Sequence, residues 1–174
     1  MTAKGNTTTR NEQTAVRSII PCLTFNDQAE EAVTFYVSVV RNSRIVSMVR
    51  SNSEGPVAKG KVLHAVFELN GREFTAFDGG PSFSFSQGVS LVATCETQDE
   101  LDEIWQELSQ GGEEGPCGWL KDKFGVSWQV FPEELIQLTS DSDPGRAQRA
   151  TQAMLTMRRI DMAEIRRAAD SVPV

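Results

Sequence analysis

"KVLHAVFELNGREFTAFD", residues 61–78, decides the fold. Two runs rich in β-branched and aromatic residues, 61–69 and 72–78, flank Asn70-Gly71. That pair suits a two-residue hairpin turn, because both central residues of such a turn need positive φ. Side chains alternate along a strand, so His64, Val66 and Glu68 fall on one face of the hairpin. Upstream, "SIIPCLTFN" (18–26) reads as a strand and "DQAEEAVTFYVSVV" (27–40) as a helix. Asn26 or Asp27 is its expected cap, and Ala29, Val33, Tyr36 and Val40 recur at helical spacing as its buried stripe. "SRIVSMVR" (43–50) is another strand, followed by the Gly-, Pro- and Ser-containing loop 51–60. The first half therefore reads β-α-β-β-β.

After a linker, "GGPSFSFSQG" (79–88), the order partly repeats. "VSLVATCE" (89–96) is a strand. "TQDELDEIWQELSQGG" (97–112) is a helix opened by Thr97 with Glu100 three residues on, a capping-box pattern, and stopped by Gly111-Gly112. Its apolar face is Leu101, Ile104, Trp105 and Leu108. "GPCGWLKD" (115–122) and "GVSWQVFP" (125–132) are two strands around a tight turn, in which Trp119 and Trp128 are core or interface aromatics. Asp78 in "FDGGP" is expected to serve its own turn. Two helices close the chain: one capped by Asp143 with Pro144 at its first position, the other by Asp161 with Glu164 three residues later. Met154, Met157, Ile160 and Ile165 form their packing face.

The bulk properties narrow the partners. The chain has 174 residues, 39% of them hydrophobic, enough for a real core. Its net charge of −7 repels phosphate backbones and argues against nucleic acid. No run approaches the roughly 20 apolar residues of a membrane span. Residues 1–17 are polar, with no apolar stretch of signal type, and read as a disordered tail of a cytoplasmic protein. Cys22, Cys95 and Cys117 form no CxxC pair, so a zinc ribbon or dithiol redox site is excluded and free thiols are expected. Cys22 and Cys95, in strand-like text, are expected to be small buried apolar residues.

"FNDQAEEAVTFY", "FELNGREFTAFDGGP" and "GGEEGPCGWLKDKFGVSWQVFP" resemble the vicinal oxygen chelate superfamily. Within it they are similar to the PhnB-like group, also called 3-demethylubiquinone-9 3-methyltransferase-like. The likeness covers roughly residues 18–140 and continues into "RAQRATQAMLTMRRIDMAEI". It implies an α+β fold of paired βαβββ modules with curved mixed sheets (18–83 and 89–140), followed by a helical tail (141–174). It also implies a homodimer with a cavity under each curved sheet. Metal-using members hold a divalent ion that binds two neighbouring oxygens of the substrate and acts as a Lewis acid, which takes three or four converging His or Glu ligands. Carried over position by position, those ligands fall at about Ile20, at Glu68, at about Ser90 and at Gln129. Only Glu68 is a strong ligand.

His64 and Glu68 are the candidate catalytic residues, and the only candidate metal ligands. Two alternations apart, they span roughly 13 Å along a strand, too far to share one ion unaided. They read first as polar walls of the cavity. A general base is the sharper role for a histidine beside a carboxylate. By alternation Ile20, Cys22 and Thr24, then Ser90, Val92 and Thr94, then Ser127, Gln129 and Phe131 also line the cavity. This mixed apolar and hydroxyl wall suits a small organic ligand. Three functions compete: a small-molecule binding protein or enzyme without the standard metal site, a metal-dependent lyase, isomerase or dioxygenase with altered ligands, and a methyltransferase, as the group's label says. Methyl transfer from S-adenosylmethionine usually uses a Gly-rich turn after a strand on a doubly wound sheet, and neither "DGGP" nor "SQGG" provides one.

Overall fold

The computed structural model describes residues 17–171, so all but the last residue of the expected N-terminal tail, and the final three residues, lie outside the described part. The chain forms two successive β-α-β-β-β units. The first comprises β1 (Cys22–Phe25), α1 (Ala29–Val39), β2 (Arg44–Arg50), β3 (Val62–Leu69) and β4 (Arg72–Asp78). The second comprises β5 (Leu91–Cys95), α2 (Gln98–Ser109), β6 (Glu113–Glu114), β7 (Trp119–Lys121) and β8 (Ser127–Pro132). Helices α3 (Glu133–Thr139), α4 (Pro144–Leu155) and α5 (Met162–Asp170) follow. Each unit is a four-stranded mixed sheet, ordered β1-β4-β3-β2 and β5-β8-β7-β6, whose first strand runs parallel to its last. Paired modules with a helical tail are the architecture the sequence implied.

The hairpin forms across Asn70 (φ 45°) and Gly71 (φ 74°), both in the left-handed region. In β3 the register shifts, with Val49 opposite His64 and Arg50 opposite Val62. Leu63 is the extra residue of a bulge, so Val62 and Ala65 both turn into the core.

Five readings need correction. Neither Asn26 nor Asp27 caps α1: Gln28 is the N-cap without a side-chain bond, and Asp27 has φ 61°. The cap comes from the far end of the unit. Asp78 Oδ1 accepts the Ala29 N–H at 2.8 Å and Oδ2 accepts the Val62 N–H at 2.9 Å. Asp78 is therefore a buried tie between strand end and helix start, rather than a turn residue, and its charge suits the helix N-terminus. Cys22 is exposed, because it sits on the uncovered face of an edge strand, whereas Cys95 is buried as expected. The strand read over 115–122 is shorter, and the short strand β6 precedes it, which completes the second unit. α3 was not expected at all: "EELIQLT" makes two turns, with Pro132 as N-cap and no side-chain cap to mark its start.

Where the sequence carried a cap signal, the helix begins on it. Thr97 Oγ1 accepts the Glu100 N–H, and the Glu100 carboxylate turns back to the N–H of Glu96. Asp143 accepts the N–H of Gly145, and Asp161 that of Glu164. The tail docks on the second unit: Gln98 bonds both the carbonyl of Ile160 and the N–H of Met162, beside buried Ile160, Met162 and Ile165.

α1 buries Ala29, Ala32, Val33 and Tyr36 against the first sheet, and α2 buries Leu101, Trp105 and Leu108 against the second. The two helices touch, and Leu69 and Phe74 of the first sheet face the same cleft as Leu91, Ala93 and Trp128 of the second. The helix-bearing faces of the two sheets thus look inward at each other, and the opposite faces look outward.

Candidate functional site

Cross-strand pairing places most of the expected residues on these outward faces; Ile20 and Ser90 precede their strands. On the first sheet, Cys22 lies beside Thr75, Thr24 beside Phe77, Val66 beside Thr75, and Glu68 beside Glu73 and Arg44. His64 shares this face beside Val49 and is exposed. On the second sheet, Gln129 lies beside Val92 and Trp119, Thr94 beside Phe131, and Ser127, which is buried, beside Lys121. Both faces leave apolar side chains in water: Val49 is 52% exposed and Val92 54%.

Two pairs of the polar groups on these faces are bonded to each other. Glu68 is held by a two-pronged pair with Arg44: Nε donates to Oε2 at 2.9 Å and Nη2 to Oε1 at 2.6 Å. Both carboxylate oxygens are thereby engaged, where a metal would need one at about 2.0–2.2 Å. Gln129 Nε2 donates to Ser90 Oγ at 2.8 Å, so two of the carried-over ligand positions bond each other. Among the described residues no three His, Cys, Asp or Glu side chains are grouped to hold an ion. The donor set does not fit the metal that the sequence resemblance implied.

The sequence missed several neighbours on the same faces. Arg44, Ser47 and Val49 of β2 escape alternation because the register shifts between Ile45 and Ser47. Phe77 is joined by Phe83 from the linker, edge-to-face at 6.3 Å between ring centres. Gly79 makes this approach possible, since a Cβ there would stand 2.5 Å from Thr24 Cγ2 and 2.7 Å from the Phe83 ring.

A wide cleft lies elsewhere. It measures about 840 Å³ and opens between the inward faces, at the end of α1, the β3–β4 hairpin and α2. Of the residues expected around a ligand, only Val92 and Thr94, on the free edge of β5, border it. Its rim is acidic, with Glu96, Glu100, Glu103 and Glu107 against Arg41 and Arg72, and its floor holds Leu69, Phe74 and Trp128. Cys95 also borders it. Burial, with the Glu100 charge as the lesser cause, pushes that thiol up to about 11, so it is protonated and unreactive at neutral pH. A smaller cleft of about 330 Å³ involves Ser127 with Trp119 and Lys121. Neither cleft is lined by His64, Glu68, Cys22, Thr24, Ser90, Gln129 or Phe131.

Residues 17–131 match the family model described as 3-demethylubiquinone-9 3-methyltransferase. The chain belongs to this family. A PhnB protein from Bacillus cereus that carries the same family name is 40% identical, with 66% of this chain and 99% of that one aligned and a TM-score of 0.61. A Pseudomonas aeruginosa protein shares the fold at 22% identity and TM-score 0.57, over 67% of this chain and 98% of that one. More distant is a glyoxylase/bleomycin resistance protein/dioxygenase domain from Frankia, at 17% identity and TM-score 0.42, over 67% and 95%. No curated protein matches the chain. No helix among the described residues is long and apolar enough to cross a membrane.

Proposed function

We propose that this PhnB-like member of the vicinal oxygen chelate superfamily is a homodimer that binds a small organic molecule against its open sheet faces and works without the superfamily's metal site. The observation that carries this reading is the state of Glu68. It is the one strong ligand among the four carried-over positions, and Arg44 holds both of its oxygens. Freeing it would uncover a carboxylate whose nearest companions at the other positions are an isoleucine, a serine and a glutamine.

The dimer follows from the outward faces. Two faces with exposed valines, half-buried aromatic residues and hydroxyls need cover, and one chain cannot bring its own two together while its helices lie between them. The first-sheet face of one copy set against the second-sheet face of another, twice over, gives a closed two-fold dimer with a cavity at each contact. Cys22, Thr24, His64 and Glu68 then line one wall of each cavity, and Ser90, Thr94, Ser127, Gln129 and Phe131 the other. His64, with no hydrogen-bond partner among the described residues, is the group free to take a proton from a bound ligand. The methyltransferase in the family's name has little to support it here. Each sheet holds one parallel pair flanked by antiparallel strands, and no glycine-rich turn joins β1 to α1 or β5 to α2.

The test is metal content by mass spectrometry on untagged protein, followed by thermal shifts with Ni, Zn, Mn, Fe(II), a chelator and a library of small organic molecules. The reading expects no stoichiometric metal, no response to metal or chelator, and stabilisation by organic compounds. Near-stoichiometric metal that disappears in Glu68→Ala would make this an altered-ligand metalloenzyme instead.

A further inference from the structure

The proposed dimeric site depends on the open faces staying outward, so the contact that keeps them there matters. α1 is the spine of that contact, and three ties run from it to the second unit. At its start Glu31 pairs with Lys123 at 3.0 Å, and past its end Arg41 reaches Glu100 at 3.1 Å and Glu103 at 3.3 Å. These pairs are solvent-exposed and contribute little. The middle tie is different. Tyr36 and Asp122 are both buried, 86 residues apart, and the Tyr36 hydroxyl donates to Asp122 Oδ2 at 2.7 Å. Trp128 Nε1 donates to the same oxygen at 2.8 Å, and the N–H groups of Phe124 and Val126 donate to Oδ1 at 2.9 and 3.0 Å. Two donors come from the turn that follows Asp122 and a third from Trp128 in β8. The fourth comes from the other unit, and among the described residues it is the one buried side-chain bond that joins the two units. Phe124 reinforces it by packing edge-to-face against Phe25 and Tyr36 and at a tilt against Phe35.

We propose that the Tyr36–Asp122 bond is an inter-module lock: it fixes the two units back to back and so sets the geometry of a dimeric site that contains neither residue. Without it, each copy must freeze the relative motion of its two units when it dimerises, and that ordering cost appears as weaker association. The inference rests on the dimeric reading above, and the experiment separates the two.

The measurement is the dimer dissociation constant by sedimentation equilibrium for wild type, Tyr36→Phe and Trp128→Phe, each checked by circular dichroism to be folded. Both variants remove one donor from Asp122, but only the first removes the donor from the other unit. The lock predicts a dimer dissociation constant raised by about tenfold or more in Tyr36→Phe and by much less in Trp128→Phe. Equal weakening, or none in Tyr36→Phe, overturns it. Native-state hydrogen exchange on the wild type gives an independent reading. The lock predicts that the α1 amides around Tyr36 and the amides of Phe124 and Val126 open together, and independent opening overturns it. If the wild type proves to be a monomer, the dimeric site falls, and the exchange result alone decides the lock.

Discussion

The inward and outward faces of the two sheets are made by the same eight strands, yet their polar groups are treated in opposite ways. On the inward side Asp122 and Asp78 are buried single carboxylates, each satisfied by hydrogen-bond donors drawn from more than one element. On the outward side Arg44 and Glu68 make a charge pair at the surface, with the arginine 65% exposed. The difference is one of cost. A buried carboxylate that loses its partners pays full desolvation, whereas a surface pair exchanges its partners for water at little loss. Stability is therefore concentrated on the inside, and the outside is left free to be recognised.

Substitutions can break this contrast in graded steps. Asp122→Ala should be the most damaging, because it strands the Tyr36 hydroxyl, the Trp128 N–H and two backbone N–H groups in the interior. The expected loss is about 3–5 kcal/mol, read from urea unfolding midpoints. Tyr36→Phe removes one donor and leaves Asp122 three, so about 1–3 kcal/mol is expected by the same measurement.

Alkaline pH should weaken the inside alone. Burial raises the Tyr36 phenol above its ordinary value, with the charge of Asp122 adding to it, and raises the Cys95 thiol from 9.0 to about 11. In both cases the folded state favours the protonated form. The stability this confers is complete below the unfolded values; the Cys95 share is lost as pH rises from about 9 to about 11, and the Tyr36 share begins to be lost only above about 10. Urea titrations from pH 7 to 11 should show that decline, and Cys95→Ala should remove part of it.

The smallest effects belong outside: Arg44→Ala and Glu68→Ala should each cost less than about 1 kcal/mol. A loss at Glu68 as large as that at Asp122 would erase the distinction between the faces.

What the sequence made legible follows the range of each interaction. The β-α-β-β-β order, the Asn70-Gly71 turn and the caps at Thr97, Asp143 and Asp161 rest on contacts within a few residues, and all are found. Strand alternation also put His64 and Glu68 on one face. The cap of α1 was missed because its acceptor, Asp78, arrives from 49 residues away. The partner of Glu68 was missed because a register shift decides which residues of β2 stand beside it. Asp122 read only as the last residue of a strand before a tight turn, and two of its bonds do close that turn. Nothing in "KDKFG" foretells that it also receives the hydroxyl of a helix in the other unit.

The most direct test of the account is sedimentation equilibrium on the wild type beside Val49→Arg and Val92→Arg, one charge on each open face. The account predicts a wild-type dimer and two folded monomers. A wild-type monomer, or a dimer indifferent to both substitutions, would mean that the open faces do not meet a second copy and that the proposed cavity does not exist.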